Sequence, residues 1–141
     1  MSEANKAVVR QVEEAWNTNQ LDKLDALFAP AFTQHSGFPG AIPNMETAKQ
    51  AHQMSMAAMP DRKAEIQEMI DGDDKVVLRM RVTGTNTGGF PPFGIPANGN
   101  KADFEWISIY TLKDARVTEH RAIIDVMTFM QQMGAIPTPG A

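Results

Sequence analysis

Apolar residues in the first half of the chain recur at intervals of three and four, the period of an amphipathic helix. Residues 3–17 predict one helix, and residues 21–30 predict a second, shorter helix that ends at Pro30. Asn44 is a good N-cap for a third helix over residues 45–59. Along one side of this third helix lie Ala48, Ala51, His52, Ser55 and Met59. We interpret that side as core packing rather than as a ligand wall.

The second half alternates apolar and polar residues, as half-buried strands do. Residues 62–70 and 75–85 predict a hairpin, residues 102–112 and 116–125 two further strands, and residues 126–134 a short helix. Both faces of residues 102–112 are largely apolar, which predicts a central strand covered by helices on one side and by a second subunit on the other. The elements together predict an α+β domain whose antiparallel sheet curls around the N-terminal helices.

Composition narrows the class of protein. The 141 residues suit one domain, which we place at residues 1–136, followed by a flexible tail over residues 137–141. A net charge of -4 argues against a nucleic-acid partner. The chain has no cysteine, no signal-peptide pattern and no long apolar run. We therefore expect a cytoplasmic protein without a membrane or nucleic-acid partner, whose ligand is a small molecule.

Asp125 stands where the last predicted strand meets the last predicted helix. A carboxylate after three apolar residues and before an apolar helix is expected to be partly desolvated, which suits it to acid/base work. The alternative is an N-cap role, because aspartate at this position commonly accepts the free amides of the following turn. Both roles can hold together, since one oxygen can cap the helix while the other faces a cavity.

Two stretches resemble a known family. One is Glu119-His120-Arg121, then three residues, Asp125 and a closing Gln-Gln-Met-Gly; the other is Thr83-Gly-Thr-Asn-Thr-Gly88 with a Gly/Pro-rich loop that reaches Lys101. The combination resembles the SnoaL-like polyketide cyclases, a branch of the nuclear-transport-factor-like superfamily. The resemblance covers the chain from the first helix to Gly134. It implies a cone-shaped curved sheet, a barrel-like wall with a ligand pocket at its open end.

The resemblance also implies three catalytic residues. Asp125 would be the acid/base of an intramolecular aldol cyclisation. His35 stands where the family carries a histidine after its helices. Asn86 stands where histidine is common; an amide cannot exchange protons at neutral pH, but it can hydrogen-bond a carbonyl or enolate oxygen.

Aromatic residues are candidates for contact with substrate. Phe90 opens a stiff apolar loop, residues 90–96, which can form a lid over a pocket or a dimer contact. Trp106 and Tyr110 can line a cavity for a flat aromatic ligand, although buried aromatic residues are also common in a core.

The last predicted strand leaves one question open. If it is regular, Arg121 shares a face with Asp125 and would approach the same space, while His120 lies on the other face. A bulge would place His120 beside Asp125 instead. Both residues are therefore candidates for substrate contact.

The resemblance implies a SnoaL-like small-molecule enzyme with cofactor-independent acid/base chemistry of the aldol cyclisation type. The substrate would be a polyketide-like or other apolar carbonyl compound, and neither a metal nor an organic cofactor is needed. The alternatives are a non-catalytic binding protein with the same pocket, and a related hydrolase or isomerase. We expect a homodimer or higher homo-oligomer.

Overall fold

A computed structural model describes residues 2–35 and 44–140 of the chain. The described helices are α1 (Ser2–Asn17), α2 (Leu24–Leu27), α3 (Met45–Ala58) and α4 (Val126–Gln132). The described strands are β1 (Phe28–His35), β2 (Lys63–Gly72), β3 (Lys75–Thr85), β4 (Lys101–Lys113) and β5 (Arg116–Ile124). The Pro/Gly-rich turn that the sequence predicts after His35 lies outside the described residues.

The strands form a single curved sheet in the order β1-β5-β4-β3-β2. Neighbouring strands are antiparallel except β1 and β5, which are parallel. The predicted α+β fold is confirmed, with α1 packed on β2 and β3 and α4 on β4. The sheet does not close on itself, so the expectation of a barrel is wrong.

The helix predicted over residues 21–30 is confirmed as far as Leu27 and is wrong beyond it. A 3-10 turn, Leu21–Lys23, leads into the single turn of α2, and the chain then extends as β1. Phe28 and Phe32 are buried in the core, and Phe28 pairs with Val117 of β5. Pro30 is accommodated because β1 is an edge strand, where a missing backbone N–H costs no ladder hydrogen bond on the open side. Tertiary packing outweighs the apolar period that suggested a helix.

The other strands lie close to their predicted bounds, with one change of face. A bulge in β2 between Ile66 and Glu68 turns Met69 towards the core and leaves Ile70 56% exposed. The sequence pattern had placed Ile70 on the same face as Ala64 and Ile66. A bulge adds one residue to one strand of a pair, so every later side chain changes face.

Candidate functional site

A cavity of about 320 Å³ lies between the concave face of the sheet and helices α1 and α3. This volume is at the lower end of the range for small-molecule sites. The lining is mostly apolar and includes Trp16 and Trp106, the two tryptophans of the chain. Phe90 and Phe93 of the 90–96 loop and Phe129 of α4 complete one side.

Helix α3 forms one wall of the cavity. Asn44 caps it as predicted, since its side chain accepts a hydrogen bond from the Thr47 amide at 2.9 Å. The side of α3 that the sequence analysis assigned to the core faces the cavity instead, through Ala48, Ala51, His52, Ser55 and Met59. Two alanines and a serine on this wall leave room for a ligand.

His52 presents a free ring nitrogen in this wall. The residue is 8% exposed, and its Nε2 is buried without a hydrogen-bond partner among the described residues. Burial lowers the pKa of His52 to about 4, with a further contribution from Arg62 and an opposing hydrogen bond to the Trp16 backbone. In the neutral tautomer that carries its proton on Nδ1, the lone pair of the ring lies on Nε2.

Arg62 brings a positive charge to the same cavity. Burial lowers its pKa and Glu13 opposes the change, so the guanidinium stays charged at neutral pH. The guanidinium carbon lies 5.9 Å from the centre of the Trp106 ring, a cation–π arrangement. A charged group in an apolar cavity is a strong site for an oxyanion, since little water competes for it.

Glu13 of α1 is a buried acidic residue that also lines the cavity. The Tyr110 hydroxyl donates a hydrogen bond to its Oε2. Burial raises the pKa of Glu13, and this effect exceeds the opposing effects of Tyr110 and Arg62. Burial, together with Glu13, also raises the pKa of Tyr110 well above its ordinary value.

A row of polar side chains crosses the sheet beneath the cavity. The Trp106 indole N–H donates to Ser108 Oγ at 2.8 Å, and Ser108 Oγ lies 2.9 Å from His120 Nε2. His120 Nδ1 lies 3.1 Å from Gln34 Oε1, and its ring stacks on Tyr110 at 4.3 Å. Burial lowers the pKa of His120 to about 4. The ring is neutral at pH 7, with both nitrogens engaged.

The structure separates the two faces of β5. His120 lies on the cavity side, where the sequence analysis left the choice open, and Arg121 is exposed on the outer face. Asp125 is also exposed and is not among the described lining residues of the cavity. Its carboxylate caps α4 by accepting hydrogen bonds from the Thr128 amide at 3.2 Å and hydroxyl at 2.7 Å. The N-cap alternative is therefore the one that the geometry supports.

His35 and Asn86 also lie away from the cavity lining. His35 ends β1 with its side chain 45% exposed, 3.8 Å from Glu119, while its neighbour Gln34 points inward. Asn86 is fully buried, and its amide holds the following loop. It donates to the Pro96 carbonyl at 2.9 Å and accepts from the Gly89 amide at 2.8 Å.

Most of the residues predicted to contact substrate do line the cavity. Phe90, Trp106, Tyr110 and His120 all line the cavity, and only Arg121 does not among the candidates in the described chain. The sequence analysis missed His52, Glu13 and Arg62. A signal for Glu13 was present, because it stands on the buried stripe of α1 between Val9 and Trp16.

In the described ranges, 2–35 and 44–140, no group of three or more histidine or acidic side chains is placed to hold a metal ion. None of the helices described is long and apolar enough to cross a membrane.

Fold and site together define a curved-sheet α+β domain with an apolar cavity of small-molecule size. The sequence profile of the SnoaL-like polyketide cyclases matches residues 6–133. The chain belongs to this family. A search of curated proteins found no match.

Solved structures agree with this assignment. IdmH from Streptomyces antibioticus, a proposed polyketide cyclase, is 27% identical, with a TM-score of 0.81 over 92% of this chain and 98% of its own. A proposed polyketide cyclase from Bacillus cereus is 26% identical, with a TM-score of 0.80 over 94% and 82%. AclR from Streptomyces galilaeus, a proposed hydroxylase, has a TM-score of 0.86 over 98% and 85%, but at 22% identity it shows the fold alone.

Proposed function

We propose that this protein is a cofactor-independent enzyme that binds a small apolar carbonyl compound and removes a proton from the carbon next to its carbonyl group. In an aldol cyclisation, the resulting enolate would attack a second carbonyl of the same molecule. One observation carries the proposal: the unpartnered His52 Nε2, in the wall of an apolar cavity that also holds the Arg62 guanidinium. Membership of the family and the proposed cyclase assignments of IdmH and the Bacillus cereus protein support it.

His52 is proposed as the base and Arg62 as the group that holds the enolate oxygen. The neutral ring is ready to accept a proton at pH 7, because burial keeps it unprotonated. The imidazolium that forms is stabilised by the Trp16 backbone, which acts to raise the pKa of His52. Negative charge on the enolate would develop beside a cation in a water-poor space, where electrostatic stabilisation is strongest.

A carbon-acid probe tests the base. Nitrobenzisoxazole fits a cavity of this volume, and removal of its ring proton breaks the N–O bond and releases a coloured phenolate. We expect the protein to accelerate this reaction and His52→Gln to lower the rate at least about 100-fold, the usual contribution of a general base. Gln is similar in size but cannot take the proton.

Asp125→Asn is the matched control, because asparagine also caps helices. The catalytic role that the resemblance implies for Asp125 stays a prediction, and this variant tests it. Loss of the rate in Asp125→Asn, with His52→Gln unaffected, would move the base to Asp125 and overturn the proposal. Circular dichroism checks that both variants are folded.

A non-catalytic binding protein is the second candidate, and the largely apolar lining favours it. Trp16 and Trp106 both line the cavity, so intrinsic fluorescence reports its occupancy. Quenching by an aromatic ligand, equal in the parent protein and His52→Gln, together with no turnover of nitrobenzisoxazole, would favour this candidate.

We also propose that a second copy of the chain covers the outer face of the sheet. Ile107 and Ile123 lie directly opposite each other there and are 38% and 70% exposed. Beside them Arg79 bridges Glu68 and Glu105, so the face carries both signs of charge and can pair with itself about a two-fold axis. Sedimentation should show a dimer that Ile123→Lys dissociates, whereas Ile136→Lys in the C-terminal segment should not. A monomeric parent protein would refute this.

A further inference from the structure

Glu13 lies in the same cavity as His52, but the chemistry described above gives it no role. The residue is 6% exposed, and the Tyr110 hydroxyl binds one carboxyl oxygen, Oε2. Within the described part of the chain, the other oxygen makes no hydrogen bond. A buried carboxyl that has one oxygen fixed and the other free on a cavity wall is placed to exchange a proton with a ligand.

Trp16 is close to both Glu13 and His52 in the cavity lining. Glu13 and Trp16 are three residues apart on α1, so their side chains are neighbours on one face of the helix, with Cβ atoms about 5–6 Å apart. The centre of the Trp16 ring lies 4.8 Å from the centre of the His52 ring. Glu13 and His52 are thus both close to Trp16 and line the same cavity, where one small substrate can contact both side chains.

We propose that Glu13, held by Tyr110, is the proton donor that completes the aldol step. This inference rests on the proposed function and adds a second catalytic residue to it. When the enolate carbon bonds to the second carbonyl carbon, that carbonyl oxygen becomes an alkoxide. Glu13 gives its proton to the alkoxide and becomes a carboxylate, which Tyr110 and Arg62 then stabilise.

The proton and electron balance needs no other reactant. One C–H bond and one carbonyl π bond break, and one C–C bond and one O–H bond form. The proton that His52 took from carbon passes to the Glu13 carboxylate, directly or through a water molecule, and both groups return to their starting state. The opposite pKa shifts of the two residues agree with these roles, because burial raises the pKa of Glu13 and lowers the pKa of His52 to about 4.

A triketone with an oxobutyl chain on a methylcyclohexanedione ring separates the two steps. Deuterium uptake next to a carbonyl reports the base, and the cyclised ketol reports the complete reaction. In Glu13→Gln we expect the ratio of ketol formed to deuterium taken up to fall about 100-fold, the scale of a missing general acid. Tyr110→Phe, which keeps the carboxyl but removes the hydrogen bond that positions it, should lower the ratio less.

The outcomes distinguish this inference from the proposed function. An unchanged ratio in Glu13→Gln, with both steps lost in His52→Gln, would overturn the role of Glu13 and leave the base in place. A parent protein that neither exchanges nor cyclises the triketone faster than buffer would overturn both. Infrared spectroscopy adds a test without turnover: the parent protein minus Glu13→Gln must show the carbonyl band of a protonated carboxylic acid at pH 7. Its absence would also overturn the proposal.

Discussion

Asn86 offers a sharp test of whether a residue in a family motif acts on substrate or holds the fold. Its side chain is fully buried and makes three hydrogen bonds, to the Pro96 carbonyl, the Asn98 side chain and the Gly89 amide. These bonds tie the end of β3 to the loop that carries Phe90. The geometry therefore predicts a stability defect when Asn86 is replaced.

The size of the defect follows from these contacts. Asn86→Ala removes three hydrogen bonds at about 1 kcal/mol each, and the buried Gly89 amide loses its partner. We expect the free energy of unfolding to fall by roughly 3 kcal/mol. With a urea m-value of about 2 kcal/mol/M, the unfolding midpoint should fall by about 1.5 M without a change in m.

Asn98→Ala is the matched control. Asn98 also takes part in three hydrogen bonds, with Asn86, Asn100 and the Met133 carbonyl, but it is exposed. Water can replace these partners, so the loss should be about 1 kcal/mol or less. Equal losses in the two variants would refute the argument from burial. An Asn86→Ala protein of unchanged stability that has lost turnover would instead support the contact with substrate that the family resemblance implies.

Three further predictions concern the pH dependence of stability, the titration of Glu13 and the cap of α4. The pKa values of His52 and His120 are both lowered to about 4, so the unfolded chain binds more protons below pH 6.5. As pH drops from 6.5 to 4, each residue should lower stability by up to about 3 kcal/mol. In urea titrations, His120→Gln should remove the part of this fall that is due to His120, whereas His35→Gln should leave the fall unchanged. The Tyr110 hydrogen bond lowers the pKa of Glu13, so Tyr110→Phe should move the infrared-detected titration of Glu13 to higher pH, and no movement would contradict the pairing. Asp125→Ala should cost about 1 kcal/mol of stability through loss of the α4 cap, whereas Asp125→Asn should cost clearly less, and equal costs would argue against capping.

Most of the fold could be predicted from the sequence, because the spacing of apolar residues alone defines most of its helices and strands. The bounds of β3 were predicted to the residue, and α1, α3 and β4 to within one residue at each end. The failure at β1 has a physical cause. Phe28 and Phe32 are four residues apart, which is a helical spacing as well as a strand spacing, and only pairing with β5 favours the strand.

The candidate site was less predictable from the sequence. The periodic pattern shows on which face of a helix or strand a residue lies, but it does not show what packs against that face. The sequence places His52 on the same stripe as Ala48 and Ser55, and that stripe does face inward. Nothing in the local pattern shows that it meets a cavity rather than packed side chains. For Asp125, the sequence shows its place in the motif. Its exposure to solvent depends on how β5 is oriented in the sheet.

The sequence by itself determined the helix and strand periods, the cap at Asn44 and the resemblance to the family, and it left capping as one of two roles for Asp125. Only the tertiary structure decided that His52, Arg62 and Glu13 share one apolar cavity. These residues lie on α3, at the start of β2 and on α1, and no local rule of spacing relates them. Their pKa shifts arise from burial, and burial is a property of the assembled layers rather than of any single segment.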